Sequence, residues 1–87
     1  MDDLFHAAIN GDTNKLKAII DSRADVNAHP ATGFTALLRA TLRGHADCVR
    51  LLIDANAALD TRDLRFGSTA LSLAAAIGKT DCLQLLI

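Results

Sequence analysis

The tripeptide Thr-Ala-Leu stands at Thr35-Ala36-Leu37 and again at Thr69-Ala70-Leu71, and the residues after each copy follow in the same order. Gly78 lies 34 residues beyond Gly44, and Gly44 lies 33 beyond Gly11. A fixed period in this range marks a stack of modules, none of which buries a core alone. Such a stack packs neighbour on neighbour and leaves a long open face, so binding is expected of it before chemistry.

With 87 residues the chain suits one small domain, residues 1–87. The period divides it into a first module at 1–28, a second at 29–61 and a third at 62–87 that is incomplete. Nine Lys and Arg against ten Asp and Glu leave a formal net charge of −1, so general attraction to nucleic acid or to an anionic membrane is not expected. Hydrophobic residues make up 51% of the chain and aromatic ones only 3%, so Ala, Leu, Ile and Val must fill the interior. Closely spaced helices accept that filling better than a sandwich of sheets.

No apolar run approaches the roughly 20 residues needed to span a bilayer, and Met1-Asp2-Asp3 is acidic where a signal peptide is basic. A soluble, cytoplasmic protein in a reducing compartment is expected. Cys48 and Cys82 occupy the same place in successive modules. Stacked helices lie about 8–10 Å apart, beyond the reach of a disulfide, so both are expected as free thiols.

In the middle module Leu37, Ala40 and Thr41 recur at helical spacing, Gly44 interrupts, and Val49, Leu52 and Ile53 form a second stripe. Each module is therefore two short antiparallel helices. The same stripes fall on Leu4, Ala7, Ala8 and Leu16, Ile19, Ile20, then on Leu71, Ala74, Ala75 and Leu83, Leu86, Ile87. Thr35 and Thr69 stand at helix N-caps, with Asp2 in the corresponding place of the first module. Asn56 and Arg23 fall where a left-handed residue must end the second helix, and Arg23 is the poorer choice. Residues 27–33 and 60–67 lack helical periodicity and read as projecting, hairpin-like turns.

Thr-Ala-Leu, then Ala, Gly, Val-x-x-Leu-Ile and Ala-x-Leu-Asp, resembles the ankyrin repeat, with Gly44-His45 matching that family's Gly-His turn. The resemblance covers essentially the whole chain and implies an all-α solenoid of stacked antiparallel helix pairs with β-hairpin-like fingers. Ala36 and Ala70 replace the family's Pro, and Leu38 and Ser72 replace its His. The side-chain bond of that Thr and His pair then cannot form as in the family, and weakened local turns are expected. Ile87 falls inside a second helix with Leu85-Leu86-Ile87 uncovered, which reads as a piece of a longer array, an end that self-associates, or a fraying helix.

The resemblance also implies a concave face made of His6, Ile9 and Asn10, Arg39, Leu42 and Arg43, and Leu73, Ala76 and Ile77. Finger residues His29, Phe34, Arg62, Arg65 and Phe66 extend it. Apolar side chains mixed with Arg suit a protein interface, and Phe34, Arg39, Leu42, Arg43, Arg62, Arg65, Phe66, Leu73 and Ile77 are the expected partner-binding residues. The arginines either meet an acidic segment of the partner or are neutralised by Asp47, Asp54, Asp60 and Asp63. An alternative is a structural capping or oligomerising segment that associates through the apolar C-terminal end.

An enzyme is not expected, nor a cofactor or metal. His6, His29 and His45 fall at unequal places in separate modules, two cysteines a full module apart do not make a zinc site, and no glycine-rich phosphate loop occurs. Asp25-Val26-Asn27 is similar to the setting in which animal ankyrin repeats are hydroxylated on asparagine; the plainer reading is that Asn27 hydrogen-bonds the finger.

Overall fold

A computed structural model describes residues 3–28, 34–63 and 67–87. Six helices follow in order: α1 Asp3–Asn10, α2 Thr13–Asp21, α3 Ala36–Arg43, α4 Ala46–Asp54, α5 Ala70–Ile77 and α6 Thr80–Leu86. None exceeds nine residues, and helices that short are marginal alone, so packing must hold them. The packing is translational. α1 lies against α3 and α3 against α5 in one layer; α2 lies against α4 and α4 against α6 in the other. No strand occurs among the described residues.

Local signals set the helix ends. Thr35 Oγ1 accepts from the Leu38 amide at 3.3 Å, and the left-handed Gly44 (φ 74°) closes α3. Thr69 and Gly78 (φ 73°) do the same for α5. α2 is capped by Asp12, whose carboxylate accepts from the Lys15 amide at 3.1 Å. The place expected for Asp2 as a cap lies outside the described residues.

The departures from the family pattern fare differently from one another. Leu38 is 1% exposed and belongs to the core. Ser72 rebuilds a local bond: its hydroxyl accepts from the Thr69 amide at 3.0 Å while Thr69 Oγ1 accepts from the Ser72 amide at 3.3 Å. A reciprocal pair of this kind satisfies two amides that a helix start otherwise leaves open.

The core runs through all three helix pairs, from Leu4, Ala7, Ala8 and Leu16 through Leu37, Leu38, Val49 and Leu52 to Ala70, Ala74 and Cys82. Alanine at several contact points lets the first helices approach closely. Thr41 is fully buried and donates its hydroxyl to the Leu37 carbonyl at 2.8 Å, so no polar atom is left open there. The three copies of the apolar stripe are not equally covered. Leu4 and Leu37 are 7% and 2% exposed but Leu71 is 43% exposed, and Ala75 is open where Ala8 and Thr41 are sealed. In the first two copies the neighbouring helix pair covers these positions; Leu71 and Ala75 belong to the last of the three pairs described.

Arg23 and Asn56 both adopt positive φ, 68° and 65°, at the ends of α2 and α4. An exposed arginine gains nothing there to offset the crowding of its Cβ, whereas asparagine tolerates it. Arg23→Asn is therefore expected to stabilise the fold by about 0.5–1 kcal/mol, read as a higher urea midpoint with an unchanged slope.

The second finger is closed at its base. The Asp63 amide donates to the Ser68 carbonyl at 3.0 Å, and the Ser68 amide donates to the Asp63 carboxylate at 2.9 Å. Asp63, 3% exposed, is thus a structural residue of the turn. The tip at 64–66 and most of the first finger, 29–33, lie outside the described residues.

Candidate protein-binding face

Because α1, α3 and α5 stack in register, equivalent positions line up in three rows across them. One row is His6, Arg39 and Leu73; the next is Ile9, Leu42 and Ala76; the third is Asn10, Arg43 and Ile77. The last two rows hold the expected open apolar positions, with Leu42 and Ile77 each 39% exposed and Ala76 exposed beside them. Arg43 is exposed in the last turn of α3, where its charge also complements the helix dipole.

Three of the expected partner-binding residues carry packing duty. The Arg39 guanidinium sits 5.5 Å from the centroid of the Phe5 ring, and its Nε donates to the Phe34 carbonyl at 3.2 Å. This half-buried arginine therefore joins the second module to the first, through a cation over an aromatic face. Leu73 is half-buried and packs against the core, as does Phe34. Arg62 is exposed and donates through Nη1 to the Gly67 carbonyl at 3.0 Å, bracing the finger. Arg65 and Phe66, and the finger residue His29, lie outside the described residues.

The modules are tied by two side-chain bonds that periodicity alone does not reveal. His45, read from the sequence as a turn residue, hydrogen-bonds through Nε2 to the Ile9 carbonyl at 3.0 Å; a carbonyl only accepts, so this nitrogen carries the proton. Its ring lies over Gly11, and Lys79 takes the equivalent place over Gly44. Asn27 accepts from the Ala58 amide at 2.7 Å, in keeping with the plainer of its two readings.

Cys48 and Cys82 are free and buried. Burial, reinforced by the Asp47 and Asp12 carboxylates, pushes the Cys48 thiol up; burial and Asp81 push Cys82 up, partly offset by Lys79. Each thiol holds its proton more tightly folded than unfolded. Its stabilising effect is present below the ordinary thiol value of about 8.5 and is lost as pH rises from there through the raised value. The wild type is thus expected to lose more stability than a Cys48→Ala/Cys82→Ala variant between about pH 7.5 and 9.5, measured as the change in urea midpoint. Equal losses in the two proteins would refute this.

Among the described residues no group of three or more His, Cys, Asp or Glu is placed to hold a metal ion, and no helix is long and apolar enough to cross a membrane.

Residues 4–87 match a family model described as ankyrin repeats in three copies. The chain is 36% identical over 83 residues to serine/threonine-protein kinase 12 of Arabidopsis thaliana, covering 95% of this chain and 18% of that protein. It is 33% identical over 84 residues to the probable E3 ubiquitin-protein ligase XBOS33 of Oryza sativa subsp. japonica, covering 97% and 16%. Cortactin-binding protein 2 of Mus musculus is 39% identical over 61 residues, covering 69% of this chain and 4% of that protein. The chain thus spans less than a fifth of the length of each of these relatives. Three helix pairs stacked in two layers, closed at the same glycine in each and matched by the family model over residues 4–87, make the chain a member of the ankyrin-repeat family, whose repeats are protein-interaction modules.

Proposed function

We propose that the chain binds a protein partner through the rows exposed on α1, α3 and α5, the face that ankyrin stacks present as concave, together with its fingers. The observation that carries this reading is the open apolar strip of Leu42, Ala76 and Ile77, with Arg43 at its edge, on helices fixed by their packing. A surface held in place before binding loses little freedom on complex formation. Phe34, Arg39 and Leu73 would shape the floor, and Leu42, Arg43, Ile77 and Arg62 would make the contacts, with Arg65 and Phe66 extending them. The buried free thiols support an intracellular, reducing setting.

The test is affinity capture with the intact chain beside a Leu42→Asp/Ile77→Asp variant and an outer-layer control, Arg50→Glu. A discrete set of captured proteins is expected to survive the control and disappear with the face variant. Retention of that set by the face variant would refute the reading.

A second reading has its own observation. Leu59 and Leu71 are 41% and 43% exposed where the equivalent Val26 and Leu37 are 8% and 2%, and Ile87 is 89% exposed. Association through this end, with a second copy or another helix pair, would make the chain a structural segment. Charged replacements at Leu86 and Ile87 would then abolish assembly and leave binding on the α1–α3–α5 face intact.

A further inference from the structure

The two layers differ in charge. Apart from Asp3 at the start of α1, the charged residues of α1, α3 and α5 are Arg39 and Arg43 alone. The other acidic residues among those described lie on the second helices, at caps or in fingers: Asp21, Asp47, Asp54 and Asp81 on α2, α4 and α6, and Asp12, Asp25, Asp60 and Asp63 between helices. A chain of net charge −1 therefore presents a locally positive band on its candidate binding face.

The same face also changes character along the stack. The exposed positions of α1 are polar, His6 and Asn10; those of α3 combine Leu42 with Arg43; α5, with the sequence ALSLAAAI, offers Ala76 and Ile77 and no charge. Arg39, pinned over Phe5, lies half-buried beside that middle band. The face thus has a direction, with an apolar end, a cationic middle and a polar start.

We infer, on the reading that this face binds a protein, that its occupant is a segment bearing an apolar cluster seated over α5 and one or more carboxylates one module away, set against the Arg43 band. Neighbouring modules are separated by about 8–10 Å. Anchor and carboxylate are then about six residues apart if the segment is helical, at about 1.5 Å per residue. They are about three apart if it is extended, at about 3.3 Å per residue. The apolar anchors supply most of the affinity, and the charge sets orientation and rejects basic segments. Two arginines beside an apolar strip are a poor match for a nucleic-acid backbone, which needs a row of cations to displace its counterions.

The probe is a displayed library of random peptides of about 16 residues, long enough to lie across two modules as a helix, selected on the purified intact chain. Enriched peptides are expected to carry a cluster of Leu, Ile, Met or Phe with Asp or Glu concentrated on one side of it. A selected peptide should bind about threefold more weakly to Arg43→Gln and about tenfold more weakly to Arg43→Glu. Reselection on Arg43→Glu should keep the apolar cluster and exchange the acids for Lys or Arg. Circular dichroism establishes that both variants fold, and the neutral Arg43→Gln serves if the reversed charge disturbs the end of α3.

No enrichment, acids enriched nowhere, or acids still enriched on Arg43→Glu would each overturn the inference. Failure of the underlying reading looks different: selected peptides would then bind Leu42→Asp/Ile77→Asp as well as they bind the wild type.

Discussion

Gly11→Ala is expected to destabilise the protein by about 2–4 kcal/mol, whereas Gly78→Ala, at nearly the same backbone geometry, is expected to cost only about 1 kcal/mol. Both glycines close a first helix in the left-handed region, with φ of 72° and 73°. Any L residue forced into that region loses about 1–2 kcal/mol, part of which is offset by a less flexible unfolded chain. The two sites then diverge. A Cβ at Gly78 meets nothing within 4 Å, but a Cβ at Gly11 falls 2.8 Å from His45 Cε1 and Nδ1. The ring has to move, and moving it breaks the Nε2 bond to the Ile9 carbonyl that links the first module to the second. A partly buried carbonyl left without its donor costs about 1–3 kcal/mol.

The cause can be isolated by a cycle. In a His45→Ala background the clash is gone, so Gly11→Ala should there fall to the cost of Gly78→Ala. Urea unfolding of the four proteins measures it, and a Gly11→Ala cost that stays the same without His45 would show that the ring is not responsible.

This pair of glycines also shows what a sequence conveys about such a stack. The period, the helix pairs, the threonine caps and the closing glycines are local or repeated, so one module's spacing explains the next. His45 could be recognised only as a turn residue, because its bond to Ile9 spans 36 positions and depends on how closely two modules approach. Register puts Arg39 in one row with His6 and Leu73, but its seat over Phe5 depends on the neighbouring module's side chain. Ser72 looked like the loss of a hydrogen bond when compared with a histidine pattern. It is the short hydroxyl, one turn from Thr69, that restores reciprocal capping. Leu38, read as the same kind of loss, instead trades a polar contact for burial. The uncovered run Leu85-Leu86-Ile87 is an expectation of the sequence, but the exposure of Leu71 and Ala75 is not, because periodicity gives the spacing of side chains and not what lies across from them.

The largest single effect is expected at Leu38, where truncation to alanine should cost about 3–5 kcal/mol. The side chain is 1% exposed in α3, the helix that packs against α1, α4 and α5 together. Removing it leaves a void at the junction of the modules, since three helices braced on one another cannot all collapse into the gap. For a chain of 87 residues the whole stability is about 4–13 kcal/mol, so the loss approaches the lower end of that range. The manner of unfolding should change as well. Stability in a stack is the sum of weak modules and the interfaces between them, and a defect in the middle module weakens both interfaces at once. Leu38→Ala is therefore expected to lower the urea midpoint and also flatten the transition, as the first and third modules melt separately. Leu42→Ala removes the same atoms one turn along the same helix from a side chain that is 39% exposed, and it should cost under about 1 kcal/mol with the slope unchanged. Equal costs for the two variants, or a Leu38→Ala transition as steep as the wild type's, would refute the central role assigned to α3, and with it the view that the stack is cooperative because its middle helix is shared by both neighbours.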